Sequence, residues 1–114
     1  MITYEEFKKV DIRLGKVIDA KDFPETRKPA IKLTIDFGPE IGIKKSSAQL
    51  IDAYTPQNII GKFVMCVVNF PPKQVGPFIS EVLTLGFKNT NGTGFILATP
   101  DKDTVELGDK IKNS

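Results

Sequence analysis

Residues 30–37 alternate without a break: Ile31, Leu33, Ile35 and Phe37 fall on one side, Lys32, Thr34 and Asp36 on the other. A period of two over this length fits a half-buried β-strand and does not fit a helix. Strand-like runs of this kind recur along most of the chain, each closed by Gly or Pro. That rhythm predicts a small all-β fold built from short strands and turns.

The order of elements narrows the fold. Thr3 and Glu6 fit a capping box, and Tyr4, Phe7 and Val10 follow at helical spacing, so a short helix opens the chain and ends near Asp11. Ile12–Phe23 reads as a long strand, with a bulge or bend where Gly15 and the pair Val17-Ile18 break alternation. Residues 30–37 and 43–50 form a hairpin across the Gly38–Gly42 turn. Thr55-Pro56 caps and starts a second short helix that Gly61 stops. Residues 63–68 are continuously apolar and read as a central strand buried on both faces. Further strands are expected over 79–85 and 95–98, joined by a loop over 86–94 that turns at Asn91-Gly92. After a turn at Pro100-Asp101, Val105, Leu107 and Ile111 mark C-terminal strands. Strand, hairpin, short helix, strand and two or three closing strands are the layout of an OB-fold, a five-stranded Greek-key barrel with a helix between strands three and four. An SH3-like barrel is the rival and normally lacks that helix. The expected organisation is one domain over 1–114, with an N-terminal helix over 1–10, a barrel over 11–99 and an extension over 100–114.

Composition excludes most chemistry. The 114 residues contain no His and one Cys. There is no imidazole base, no Ser-His pair, no internal disulfide and no Cys-based zinc site. Acidic residues are dispersed, and Asp101, Asp103 and Asp109 lack the Gly and Glu spacing of a calcium loop. Neither a P-loop nor a Rossmann fingerprint is present. The expected protein binds and does not catalyse, with no cofactor and no metal. No run approaches the 18 apolar residues of a membrane span, and residues 1–6 lack the pattern of a signal peptide. A cytoplasmic location without membrane insertion is the expectation.

The charge is uneven. Residues 1–40 carry eight Lys/Arg against eight acids, whereas residues 41–80 carry Lys44, Lys45, Lys62 and Lys73 against Asp52 alone. OB-folds bind nucleic acid on the face of strands two and three. Lys32 occupies the polar face of strand two, and Lys44 and Lys45 point to opposite faces of strand three. Hydroxyls and Asn69 would add contacts to phosphate or sugar. Scattered lysines on a solvated strand are the plainer reading. Phe37, Phe63 and Phe95 read as core, while Phe70, Phe78 and Phe87 lie at strand ends or in loops, which leaves no evident stacking platform on strands two and three. The loop over 69–78 holds three prolines and two phenylalanines, a stiff apolar ridge with little entropy to lose on binding. Phe70, Pro72 and Phe78 there are candidates for the wall of a peptide cleft, while Pro71 and Pro77 fit simple packing. Cys66 reads as a small core residue.

The stretch Asp11-Ile12-Arg13-Leu14-Gly15-Lys16-Val17 resembles the opening of the tRNA-binding domain family. Lys32-Leu33, Tyr54-Thr55-Pro56 with Gly61-Lys62, Asn69 and Ser80 continue the resemblance in order. Within that family the chain is most similar to the CsaA-type export chaperones. Residues 23–30, Asp36-Phe37-Gly38, Ser46-Ser47-Ala48-Gln49, residues 68–74 and Ser80-Glu81-Val82-Leu83 carry that likeness. Synthetase-type members have Ser-x-Gly-Met where this chain has Ser80-Glu81-Val82-Leu83, which sets a negative charge beside the phosphate contact that the resemblance implies at Ser80. The resemblance implies a cytoplasmic OB-fold homodimer that keeps exported precursor proteins soluble, its partners being unfolded polypeptides. The alternative it implies is a free-standing tRNA-binding module, with Arg13, Lys32, Lys44, Lys45, Ser46, Asn69, Lys73 and Ser80 on the contact surface. The N-terminal helix and C-terminal strands would form the dimer interface.

Overall fold

A computed structural model describes residues 1–113. Two short helices, α1 (Tyr4–Lys8) and α2 (Pro56–Ile59), both begin with reciprocal caps. The Thr3 hydroxyl accepts from the Glu6 amide at 3.2 Å, and the Glu6 carboxylate accepts from the Thr3 amide at 3.0 Å. Thr55 and Asn58 repeat the exchange at 3.1 and 2.9 Å, with Pro56 in the first turn. These bonds satisfy N–H groups that a helix start leaves open.

Among the described residues the strands are β1 (Ile12–Phe23), β2 (Ala30–Asp36), β3 (Ile43–Ala48), β4 (Phe63–Val67), β5 (Lys73–Val75), β6 (Phe78–Ser80), β7 (Leu83–Thr84), β8 (Gly86–Lys88) and β9 (Phe95–Leu97), the first four in the expected order. The main sheet runs β3-β2-β1-β4-β7 and is antiparallel throughout. Long β1 serves both sides, pairing with β2 through its second half and with β4 through its first. The bulge lies between Val17 and Asp19, so Ile18 is the extra residue and faces solvent. Gly15 shapes the strand differently, because a Cβ there would lie 2.4 Å from the Ile35 side chain and 2.8 Å from the Phe37 ring. The missing side chain lets β1 curl over the core. Val17, Ile31, Leu33, Ile35, Phe37, Leu50, Ile59, Val64, Cys66, Val82 and Leu97 fill that core. Burial pushes the Cys66 thiol up to about 12, which leaves it an inert core residue.

The second half of the chain is more broken than its sequence suggests. The expected strand over 79–85 divides into β6 and β7 at Glu81-Val82. The loops expected over 69–78 and 86–94 each contain a strand, and β5–β6 and β8–β9 form separate hairpins. Phe95, read as core, is 43 % exposed on the β8–β9 hairpin; Phe63 is only half-buried. β4 is not buried on both faces, since Phe63 and Met65 alternate as half-buried positions with Val64 and Cys66. The expected C-terminal strands reduce to one bridge, Arg13 with Lys110, among the described residues. Leu14 and Ile12 still bond the tail, through Asp109, Gly108 and Ile111.

The barrel closes across a seam between β3 and the 80–84 segment. The Glu81 amide donates to the Lys45 carbonyl at 2.7 Å, and the Phe95 amide to the Gln49 carbonyl at 2.8 Å. Side chains supply the rest: the Ser46 hydroxyl donates to the Val82 carbonyl at 3.1 Å and meets the Thr84 hydroxyl at 2.8 Å. Five strands in a nearly closed barrel with a helix between β3 and β4 are an OB-fold.

Candidate ligand-binding groove

An open groove of about 520 Å³ runs along the seam. Its floor is β3 and β7, through Ser47, Ala48, Gln49, Leu83 and Thr84. One wall is the β1–β2 loop, which brings Thr26, Arg27 and Lys28. A second wall is the β5–β6 hairpin, which brings Lys73, Val75 and Ser80, and Phe95 also lines the groove. A second hollow of about 410 Å³ continues past Lys73 and Ser80 to Phe70, Pro71 and Glu81. No carboxylate lines the main groove, whereas Arg27, Lys28 and Lys73 do. Glu81 in the adjoining hollow accepts from the Lys45 amide at 3.0 Å. The result is an apolar trough with a cationic rim, suited to an extended ligand bearing negative charge.

The predicted contact residues scatter. Lys73 and Ser80 line the groove. Lys45 faces outward beside it, since Thr34–Lys45 and Lys32–Ser47 are register pairs on the outer face of the sheet. Lys44 pairs with Ile35 and so takes the inner parity near the barrel end. Ser46 is fully buried, so it offers no surface to a ligand and works as a seam bond. Arg13 is also committed elsewhere. Its guanidinium donates to Asp11 at 2.7 Å and to the Gly108 carbonyl at 3.0 Å, with only 18 % of the side chain exposed. The Asp11 bond holds its pKa above the ordinary arginine value. Asn69 accepts from the Asp11 amide at 3.1 Å and donates to the Lys9 carbonyl at 2.7 Å, tying the end of β4 to the exit of α1. Lys32 lies over the Phe23 and Phe78 rings.

Among the peptide candidates, Phe70 is exposed and borders the second hollow. Pro72 is exposed but lines neither hollow. Phe78 turns away from the groove and packs edge-on against Phe23, with ring centroids 5.5 Å apart. Sequence reasoning missed Arg27, Lys28, Gln49, Leu83 and Phe95. The polar, cationic loop between two strong strands was the available signal for the first two. For Phe95 no local signal existed, because its exposure follows from where the hairpin lands. Gly94 sets that landing: at φ +80° it brings the hairpin so near β3 that a Cβ would lie 2.1 Å from the Gln49 carbonyl.

A second apolar surface is formed by α1 and the tail. Helix α1 buries none of its residues, and Tyr4, Phe7 and Val10 are exposed. The Tyr4 hydroxyl donates to Asn113 at 3.2 Å, which places the tail, with exposed Val105 and Ile111, on the same side. Among the described residues there is no cluster of groups able to hold a metal ion, and no helix long and apolar enough to cross a membrane.

Comparison with known proteins agrees with this architecture. The family model "Putative tRNA binding domain" matches residues 12–110. The crystal structure of the CsaA chaperone protein from Picrophilus torridus is 51 % identical with a TM-score of 0.90, covering 98 % of this chain and 100 % of that one. Chaperone CsaA from Bacillus anthracis is 46 % identical with a TM-score of 0.89, covering 98 % and 99 %. The methionine–tRNA ligase of Pyrococcus horikoshii is 33 % identical over 111 residues, which are 97 % of this chain and 14 % of the ligase. The chain thus spans about a seventh of the curated ligases it matches. With an OB-fold barrel, a cationic groove on its seam and a family match over nearly its whole length, the chain belongs to the tRNA-binding domain family.

Proposed function

We propose that this protein is a chaperone that holds extended, unfolded segments of precursor polypeptides awaiting export, in the cytoplasm and without catalysis. The observation that carries the reading is the groove, an apolar trough rimmed by Arg27, Lys28 and Lys73 with no carboxylate in its main lining. Likeness to two CsaA chaperones over nearly the full length of both chains supports it. The rim disfavours positively charged segments, so acidic or mature-region segments bind better than basic ones. The test is fluorescence anisotropy with two peptides of matched hydrophobicity and opposite charge. The acidic peptide should bind at least about tenfold more tightly, a difference of about 1.4 kcal/mol. Equal affinity overturns the reading.

A second reading, a free-standing tRNA-binding module, is favoured by the family model and by one observation. Lys21 pairs with Lys32 and Lys45 with Thr34, which sets three lysines on the outer faces of β1, β2 and β3 next to the groove. Such binding would be electrostatic and salt-dependent. Competition between tRNA and a bound acidic peptide tests whether the two ligands share a surface, which displacement would show; a chain that binds tRNA and leaves the acidic peptide unbound favours the tRNA-binding reading.

Dimerisation belongs to the same proposal. The exposed apolar residues of α1 and the tail would pair with those of a second copy. Sedimentation at micromolar concentration showing only a 12.6 kDa species rejects it.

A further inference from the structure

The sequence points to Lys32 as a ligand contact, yet it lines neither hollow of the groove. Its ammonium lies 4.5 Å from the centre of the Phe23 ring and 5.6 Å from that of Phe78. It also lies 3.9 Å from the Glu25 carboxylate. These three partners belong to different parts of the site. Phe23 ends β1, Glu25 sits in the β1–β2 loop that forms one groove wall, and Phe78 opens the hairpin strand that forms the other.

The surroundings explain why one cation matters there. Phe23 is 1 % exposed but does not belong to the main core cluster. It pairs with Ala30, of the same parity as Lys32, on the outer side of the sheet. Its cover includes Phe78 and Lys32. The β5–β6 hairpin is a sheet of its own, and two short strands alone are marginal in water. Its fixed points are the bonds of Ser80 and Glu81 to β3 at one end and Phe78 at the other. Three groove-lining residues, Lys73, Val75 and Ser80, ride on that hairpin.

We propose that Lys32 is a positioning residue: one ammonium braces both walls of the groove, by its contact with the Phe23–Phe78 pair on the hairpin side and with Glu25 on the loop side. A cation over an aromatic face that is partly shielded from water has the strength for this. The charge, and not the length of the side chain, is what the brace requires. Only the consequence for binding rests on the proposed function; the brace itself does not.

Hydrogen exchange measured on the full chain tests it. Lys32→Met keeps the apolar stem and removes the charge. It should speed exchange of the amides in Lys73–Val75 and Phe78–Ser80 by about tenfold. The β1–β2 and β1–β4 ladder amides should keep their rates. Lys32→Arg should restore the hairpin rates, and Phe78→Leu should reproduce the Lys32→Met effect. Unchanged hairpin exchange in Lys32→Met overturns the proposal. So does an equal acceleration of the ladder amides, which would make Lys32 a general support of the fold. If the hairpin loosens while the acidic peptide binds as before, the brace stands and the groove reading fails. A direct contact with nucleic acid would instead lower the salt slope of tRNA binding with hairpin exchange untouched, and that pattern also overturns the brace.

Discussion

Residues 12–67 and residues 69–97 build opposite sides of one barrel by different means. The first stretch makes four strands of five to twelve residues in a continuous ladder, and it supplies most of the core. The second makes five strands of two or three residues, split among the main sheet and two hairpins. One side is held by backbone pairing and apolar burial. The other has only short runs of pairing, such as Leu85 with Met65 and Ala98 with Leu85, and adds particular side chains: Ser46 at the seam, Phe78 on Phe23, and Tyr54, whose hydroxyl accepts from the Leu97 amide at 3.2 Å. The groove lies where the two meet. The two sides therefore draw their stability from different interactions, and substitutions should separate them.

The largest effect belongs to the ladder side. Ile35→Ala empties a fully buried position against Phe37 and Val17, and it should cost about 2–5 kcal/mol in urea unfolding. A loss of about 0.5 kcal/mol or less, the size of a single surface change, would break the contrast. Next is the seam. Ser46→Ala removes the bond to the Val82 carbonyl and the contact with Thr84, and it should cost about 1–3 kcal/mol. The same variant should leave the salt slope of tRNA binding unaltered, since a buried hydroxyl meets no phosphate. On the groove side, Lys73→Gln should leave the unfolding midpoint in place. It should shallow the log–log salt slope of tRNA binding by about 0.7–0.9, the share of one phosphate.

The smallest effect is one of pH. Asp52 accepts from the Thr93 hydroxyl at 2.6 Å and the Thr93 amide at 2.7 Å, pinning the β8–β9 turn to the segment after β3. Those bonds, the hydroxyl first, hold its pKa below the ordinary value. A lowered carboxylate stabilises the fold above its unfolded pKa of about 3.9, and that contribution fades as pH falls through the lower folded value. Thermal melts of Asp52→Asn across this acid range should show a flatter pH dependence than the parent chain. An identical acid limb in both would mean that the pin contributes nothing.

The ladder side is also the legible one. The first capping box, the Thr55 cap, the bounds of β1 and the alternation of β2 follow from spacing, because each is decided by residues within one turn or one pleat. The hairpin side is not legible in this way. A strand of three residues has no period, so β5 and β8 look like the loops around them. Ser46 illustrates a second limit. Its inward parity is readable, but its role depends on Val82 and Thr84, more than thirty residues away. Arg13 and Lys32 illustrate a third: a cation in a family motif reads as a ligand contact, while its partners, Gly108 for one and Phe78 for the other, come from distant segments.

A ring closed largely by side chains behaves like a bracelet with a clasp. Only two backbone-to-backbone bonds, Glu81 to Lys45 and Phe95 to Gln49, reach β3 or the residue that follows it from the closing segments among the described residues. The groove lies along that clasp, with β3 on one side and Ser80, Leu83 and Phe95 on the other. A ligand seated there touches both ends of the ring at once and acts as a removable rivet. Occupancy and resistance to unfolding are then one quantity, so the melting temperature should climb with ligand concentration as binding to the closed ring alone requires.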